Sequence, residues 1–131
     1  MALGWHDGLT KVTLPEGLTT IGTYAFDCCR DLVEVVLPES LTSVGSGAFF
    51  QCSALTTVSI PESNRALKLV DGALFSVADA RLVWYPCSST ETVWTVPAGT
   101  KIIGKDAFGL SWALEQIILP EGLTTIESYA F

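Results

Sequence analysis

The chain has 131 residues, a net charge of −7 and a hydrophobic fraction of 49%, which is enough apolar material for one continuous core. Its seven lysine and arginine residues are scattered, which argues against a nucleic-acid partner because such proteins cluster their basic side chains. No run approaches the ~18 apolar residues of a membrane-spanning helix, so no membrane insertion is expected. The first residues lack the basic start and long apolar centre of a signal peptide.

A period of 23 residues runs through the sequence. Pro15, Pro38 and Pro61 are spaced by 23 residues, and so are Pro97 and Pro120. One phrase ending in Pro-Glu recurs at 9–16, 32–39, 55–62 and 114–121, and a second recurs at 18–26, 41–49 and 123–131, with a partial copy at 103–108. A fixed period in this range is typical of a solenoid, in which each repeat buries its apolar face against its neighbours.

Each repeat begins with a predicted strand, because apolar and polar residues alternate there. In the first copy Val12 and Leu14 point inward, and Lys11 and Thr13 point outward. Proline then ends the strand, since it has no N–H to donate to a ladder. A second short apolar run leads to Tyr24-Ala25-Phe26, which we predict to be a brief helical turn that plugs the coil with an aromatic ring.

These elements predict a β-rich, right-handed solenoid with short parallel strands and brief helical turns. We expect one domain over residues 1–131, built from about five repeats. The chain opens and closes at the same phase, because Ala2-Leu3 corresponds to Ala130-Phe131. No polar capping segment is present, so we expect a fragment of a longer array. Its apolar ends and open strand edges predict end-to-end self-association.

The period breaks between Pro61 and Pro97, and we predict an irregular insertion near 62–96. One interpretation is a hairpin over 70–86. The other is an extra coil, in which 82–86 form a further first strand. The hairpin is favoured slightly, because too few residues follow 82–86 to complete a coil before Pro97.

The insertion leaves the position of Trp84 open. In the extra-coil interpretation Trp84 points outward and joins Leu82, Val93 and Ile118 in an exposed apolar patch, a feature that often marks an interaction site. In the hairpin interpretation the irregular segment folds over and buries it. Trp112 follows the last internal phenylalanine, where other repeats carry polar or small residues, so it is a second candidate for exposure.

Two cysteines share one slot of the repeat. Cys29 and Cys52 each lie three residues after the plug phenylalanine, and other copies of the slot hold Ser111 and His6. A slot that accepts such small residues beside a core aromatic predicts buried, reduced thiols. Coils stacked roughly 4.8 Å apart would also permit a Cys29–Cys52 bridge. The other two cysteines, Cys28 and Cys87, have no counterpart in the repeat, so their disulfide state stays open.

Catalysis finds no support in the sequence. His6 is the one histidine, and no Gly-x-Ser-x-Gly, His-Glu-x-x-His or phosphate-binding glycine loop occurs. Cys28-Cys29 is not a Cys-x-x-Cys half-site. We therefore expect no enzyme activity, no metal and no cofactor.

A column of glutamates follows the prolines. A divalent cation or a basic partner along this column is one interpretation, but a calcium site needs six or more converging oxygens. The favoured interpretation is a solvated turn edge, where carboxylates fan outward and accept backbone amides. The column consists of Glu16, Glu39, Glu62 and Glu121.

The recurring phrases Leu-Thr-x-Val-x-Leu-Pro-Glu and Leu-Thr-x-Ile-Gly-x-Tyr-Ala-Phe-x-x-Cys resemble BspA-type leucine-rich repeats. The interruption from Asp71-Gly72-Ala73-Leu74-Phe75 to Trp84-Tyr85-Pro86 fits the same family. The resemblance covers nearly the whole chain and departs from the pattern at Ser111-Trp112 and His6. It implies a secreted or cell-surface protein of a host-associated microbe, and adhesion to host matrix proteins or to other cells.

The expected function is therefore a non-catalytic, protein-binding adhesion scaffold at the cell surface or outside the cell. The alternative is a structural spacer array with no ligand of its own. Binding would use the outward side of the first-strand column, helped by avidity along the stack. The candidate residues are Lys11, Thr13, Glu34, Val36, Thr57, Ser59, Trp84, Thr95, Gln116 and Ile118.

Overall fold

The computed structural model describes residues 8–131, which contain twelve short strands and no helix. In chain order the strands are β1 (Lys11–Thr13), β2 (Thr20–Ile21), β3 (Glu34–Val36), β4 (Ser43–Val44), β5 (Thr57–Ser59), β6 (Leu67–Val70), β7 (Ala73–Ser76), β8 (Arg81–Trp84), β9 (Val93–Thr95), β10 (Ile102–Ile103), β11 (Gln116–Ile118) and β12 (Thr125–Ile126). Ala2, Leu3 and His6, on which parts of the slot and end predictions rest, lie outside the described residues. Nowhere in 8–131 is there a helix of the length and apolarity needed to cross a membrane.

The first strands of successive repeats form a parallel column whose register is the sequence period. β1 pairs with β3, and β3 pairs with β5, so Val35 lies between Val12 and Val58. β9 and β11 pair in the same way. Because side chains alternate along a strand, the central residue of each strand enters the core while its two neighbours face outward; it is valine in β1, β3 and β5, Trp94 in β9 and Ile117 in β11. The predicted alternation is confirmed.

The second apolar runs form further parallel ladders. β2 pairs with β4, and β10 pairs with both β8 and β12. Each coil therefore contributes two short strands to two separate columns, with the proline turn between them. Threonine hydroxyls support the second column, since the Thr42 and Thr124 side chains donate to the carbonyls of Thr19 and Lys101 in the preceding coils (both 3.1 Å).

The segment after each second strand is a series of overlapping turns, and the predicted helical turn is wrong. The Ala25 N–H donates to the Gly22 carbonyl (3.3 Å), but the next N–H, that of Phe26, donates to Ala48 of the following coil (2.8 Å). Tyr24 has a positive φ of 56°, which a right-handed helix cannot accommodate. Alternate N–H groups thus join neighbouring coils instead of closing helical turns.

Aromatic rings fill the space inside these turns. Phe26 stacks on Phe49 with centroids 5.5 Å apart, and Phe108 stacks on Phe131 at 5.1 Å. Tyr85 of the insertion lies 5.3 Å from Phe108 and continues this stack. The inward position predicted for the internal phenylalanines is confirmed, whereas Phe131 in the last coil is 61% exposed.

The insertion contains a hairpin, as the favoured interpretation predicts. β6 and β7 are antiparallel, β7 and β8 are antiparallel, and β8 then joins the second column parallel to β10. The predicted hairpin over 70–86 corresponds to β7 and β8. A further hairpin of β6 and β7 was not predicted; its two-residue loop, Asp71-Gly72, has positive φ at both residues (52° and 79°), which matches the twist of such loops. The alternative of an extra first strand over 82–86 is wrong, because Arg81 and Leu82 pair with the second column.

Asn64 marks the point where the chain leaves the regular path. It holds the phase at which three other repeats carry Leu18, Leu41 and Leu123 and one carries Thr100, and its polar side chain is buried. Its Nδ2 donates to the carbonyls of Pro38 (3.2 Å) and Leu41 (2.9 Å), and its Oδ1 accepts the N–H groups of Ala66 (2.9 Å) and Leu67 (3.0 Å). The amide therefore satisfies backbone groups where the second column is interrupted.

The hydrophobic core consists of two clusters that meet at the insertion. Phe26 and Phe49 belong to the first cluster, and Trp94 and Phe108 belong to the second. Strand β7 serves both, since Leu74 packs into the first and the adjacent Phe75 packs into the second. β7 is thus buried on both sides and lies between the two clusters.

Candidate binding face

The outward positions of the first-strand column are exposed or half-exposed. They belong to the first and third residues of each three-residue strand, which point away from the core. The structure brings nine of the ten predicted residues to these positions, and Val93 completes the set. The predicted residues on this face are Lys11, Thr13, Glu34, Val36, Thr57, Ser59, Thr95, Gln116 and Ile118.

This face carries no net charge. Its two charged residues lie on adjacent strands, where Lys11 Nζ is 3.3 Å from Glu34 Oε2. The other outward side chains are hydroxyl, amide or aliphatic groups. In a chain of net charge −7, the acidic groups therefore lie elsewhere, and a neutral partner meets little electrostatic repulsion at this surface.

Two aliphatic side chains make the face partly apolar. Val93 on β9 is 45% exposed, and Ile118 on the neighbouring β11 is 43% exposed. Leu82, which the extra-coil interpretation placed beside them, is fully buried in the second cluster. The exposed apolar patch is therefore smaller than that interpretation predicts.

Trp84 is not on the face, and its prediction as a binding residue is wrong. The side chain is 6% exposed and packs edge-on against Phe49, with ring centroids 5.7 Å apart. The reason is the hairpin, because β8 lies in the second column and is buried between the two clusters. The interpretation in which the irregular segment buries this tryptophan is confirmed.

The face is divided in two. β1, β3 and β5 form one sheet, β9 and β11 form another, and within 8–131 no ladder joins β5 to β9. The insertion places three strands between them in the sequence, which interrupts the stacking of the first column. A partner that spans the whole column would therefore contact two separate small sheets.

The glutamate column forms the edge beyond the prolines, and all four of its side chains are exposed. The Glu16 carboxylate accepts the N–H of Glu39 in the next coil (3.1 Å). This contact fits the interpretation of a solvated edge that accepts backbone amides. No three acidic, cysteine or histidine side chains of the described chain are grouped so that they could hold a metal ion.

The four cysteines all lie in the described part, and no disulfide joins them. Cys29 and Cys52 are buried, as the slot predicts, and the Cys52 thiol donates to the Phe26 carbonyl (3.0 Å). Burial raises the pKa of Cys52 to about 12 and also raises the pKa of Cys28 and Cys87. These thiols stay protonated at neutral pH and are poor nucleophiles.

A cross-coil ion cluster was not predicted. Arg81 pairs with Glu127 (2.6 Å) and with Asp79 (2.8 Å), and it passes beside Gly104, where a Cβ atom would lie 2.7 Å from the Leu82 carbonyl. The hydrogen bond between Arg81 and Glu127 raises the pKa of Arg81 and lowers the pKa of Glu127. Positions 81, 104 and 127 share one phase of the period, which is the signal that could have revealed the cluster.

Trp112 protrudes from the turn edge and is 84% exposed, which confirms its predicted exposure. It borders a cavity of about 410 Å³, whose walls include Leu114 and the last residue, Phe131. The Ser111 hydroxyl also lines the cavity and has no hydrogen-bond partner among the described residues. The cavity lies against the last coil, and its walls also include Ile117, whose strand neighbours Gln116 and Ile118 belong to the binding face.

The repeat phrases and the two strand columns agree with one known family. Residues 4–77 and 81–131 match the BspA type Leucine rich repeat region, in 6 copies. The chain belongs to the BspA-type leucine-rich repeat family. Its fold is the β-solenoid scaffold of these repeats, as predicted, and none of the curated proteins matches its sequence significantly.

Solved structures of bacterial leucine-rich repeat proteins are similar to this chain. A leucine-rich repeat protein from Eubacterium ventriosum superposes with a TM-score of 0.84 over 91% of the chain, at 25% identity. The pneumococcal vaccine antigen PcpA gives 0.76 over 94% at 28% identity. A leucine-rich cell surface protein from Faecalibacterium prausnitzii gives 0.72 over 94% at 22% identity, which shows the fold alone. The chain spans 32%, 36% and 38% of these three structures.

Proposed function

We propose that this chain is a non-catalytic binding segment of a bacterial surface or secreted protein, and that the outward first-strand face contacts a protein partner. The single observation that carries the proposal is the neutral, partly apolar face of nine predicted residues in an otherwise acidic chain. Interaction surfaces are commonly depleted of charge at their centre. Several weak contacts in register along the stack would add up by avidity.

The proposed location rests on the family. The resemblance to BspA-type repeats implies a secreted or surface-attached protein, and one of the similar structures is a pneumococcal vaccine antigen. Host matrix proteins are the partner class that the resemblance suggests. The proposed absence of catalysis rests on the sequence, which lacks the catalytic motifs named above, and on the absence of a metal-ligand grouping among the described residues.

An array of extracellular-matrix proteins, probed with the 131-residue chain, tests the proposal. Thr57→Arg and Thr95→Arg place a long cation on the face, and Thr20→Arg places the same group on β2, outside it; all three threonines are exposed. We expect at least tenfold weaker binding by the two face variants and unchanged binding by Thr20→Arg. Equal binding by all variants would exclude this face.

The spacer alternative makes a different prediction for the same array. A spacer would bind none of the matrix proteins at micromolar concentration, while remaining folded by circular dichroism. The affinity for a partner should also depend little on salt concentration, because the only charged residues of the face, Lys11 and Glu34, pair with each other. Binding that weakens strongly with salt would point to the acidic edges instead.

A further inference from the structure

Coils one to five are numbered by their first strands, β1, β3, β5, β9 and β11. The third coil lacks most of the turn that joins the second strand to the core aromatic ring in the other coils. Four residues separate Ile103 from Phe108 in the fourth coil, but only two separate Leu82 from Tyr85 in the third. These pairs hold equivalent places, since Leu82 lies beside Ile103 in the ladder and Tyr85 packs on Phe108. The shortened segment, 83–86, is buried throughout.

The turns of the second and fourth coils meet directly across this recessed segment. Phe50 of the second coil lies against Gly109 of the fourth, where a Cβ atom would come within 2.7 Å of the ring. Beneath this contact, Trp84 packs on Phe49 and Tyr85 packs on Phe108. The third coil is therefore enclosed between its neighbours.

A single side chain from the first coil spans this gap. The Tyr24 ring crosses Gly47, where any Cβ atom would clash with it, and its hydroxyl donates to Asp106 Oδ2 (2.6 Å). The Lys105 ammonium lies 5.8 Å from the ring centroid, within the range of a cation–π contact. We call Tyr24, Gly47, Lys105 and Asp106 the strap.

Both ends of the strap lie at one phase of the repeat, where the backbone φ is positive. Tyr24 and Asp106 have φ of 56° and 60°, and Gly47 and Tyr129 at the same phase have 64° and 58°, so this conformation belongs to the repeat turn. The hydrogen bond to Asp106 raises the pKa of Tyr24 to about 12, so the phenol remains a donor over the physiological range.

We propose that the strap is a latch that couples the two hydrophobic clusters. When closed, it keeps the segment 83–86 enclosed, with Trp84 in the first cluster and Tyr85 in the second. When released, it lets the third coil open while the rest of the solenoid stays folded. The latch joins residues 82 apart in sequence, and so it bridges the interruption that the insertion makes in both strand columns.

Hydrogen exchange of the 131-residue chain, read at single amides, tests the latch. Tyr24→Phe keeps the ring and removes the hydroxyl. We expect the amides of Tyr85 and Gly104, which donate to Ala107 and Leu82 across the gap, to exchange at least tenfold faster. The amide of Leu37, which follows β3 and donates to Ser59, should keep its wild-type rate.

Three matched variants distinguish a latch from an ordinary stabilising contact. Tyr129→Phe changes the same phase of the repeat at an exposed ring and should leave all rates unchanged. Asp106→Ala should reproduce Tyr24→Phe. Asp106→Asn should restore slow exchange, because the amide oxygen still accepts the phenol and asparagine tolerates positive φ.

Two results would overturn the proposal. One is wild-type exchange at Tyr85 and Gly104 in both Tyr24→Phe and Asp106→Ala. The other is acceleration of all amides by one common factor, which would show that Tyr24 contributes only to global stability.

Discussion

Replacing Asn64 with leucine tests whether the stability of the chain depends more on the hydrogen bonds of this side chain or on a residue that matches the repeat. Other repeats carry Leu18, Leu41 and Leu123 at the same phase. If conformity decided, Asn64→Leu would stabilise the chain as a consensus substitution does. The structure predicts the opposite, because the asparagine amide is buried and fully engaged.

The magnitude follows from the partners that lose their hydrogen bonds. Two carbonyls and two N–H groups bond to the amide, and a buried polar group left unpaired costs about 1–3 kcal/mol. The N–H of Ala66 is only partly buried, so water can replace its partner, and the Pro38 carbonyl keeps the Leu41 N–H as a donor. The Leu41 carbonyl and the Leu67 N–H are then left without a partner. The leucine side chain recovers roughly 1.5–3 kcal/mol by burial. We therefore expect Asn64→Leu to lower the free energy of unfolding by about 1–3 kcal/mol.

Urea denaturation followed by circular dichroism measures this difference. Asn64→Ala is the control, since it removes the same hydrogen bonds without adding apolar volume, and it should destabilise the chain more than Asn64→Leu does. An Asn64→Leu chain as stable as the wild type, or more stable, would refute the reasoning and show that the repeat path tolerates leucine here.

Four further outcomes are expected. Gly45→Ala should destabilise by about 1–3 kcal/mol, because its Cβ atom would meet the backbone of the preceding coil, whereas the same change at Gly22 has open space and should cost under about 0.5 kcal/mol; equal urea midpoints would contradict this. Phe49→Ala should cost about 3–5 kcal/mol and Phe131→Ala much less, since only the former ring is fully enclosed. Thiol titration should find no reaction at Cys52 in the native chain and four reactive thiols after denaturation without reductant; fewer than four would contradict the reduced state of all four cysteines. Finally, the exposed apolar side chains of the last coil should make the 131-residue chain associate end to end as its concentration rises. Phe131→Glu should weaken this association, and a strict monomer in sedimentation at high micromolar concentration would argue against it.

The sequence period by itself determined the ladder register of the regular coils. Because parallel strands of successive repeats pair residue for residue, a spacing of 23 in the sequence becomes a neighbour relation in space, as Lys11 and Glu34 show. The alternation of polar and apolar residues along each first strand then predicted which side chains face outward. Phe26 and Phe49 occupy the same position of the repeat, which predicted that their rings lie in the core, where they stack. These features are local or strictly periodic, so no tertiary information was needed for them.

Only the tertiary structure decided what happens where the period breaks. The burial of Trp84 depends on β8 joining the second column, and the role of Asn64 depends on carbonyls in the preceding coil. The contact between Tyr24 and Asp106 joins residues from coils that are not sequence neighbours. Such contacts arise because an insertion removes one turn and lets its flanking coils meet. Which residues of the flanking coils touch depends on the length of their side chains and on the local backbone conformation. A repeating sequence pattern predicts neither of these where the repeat is interrupted.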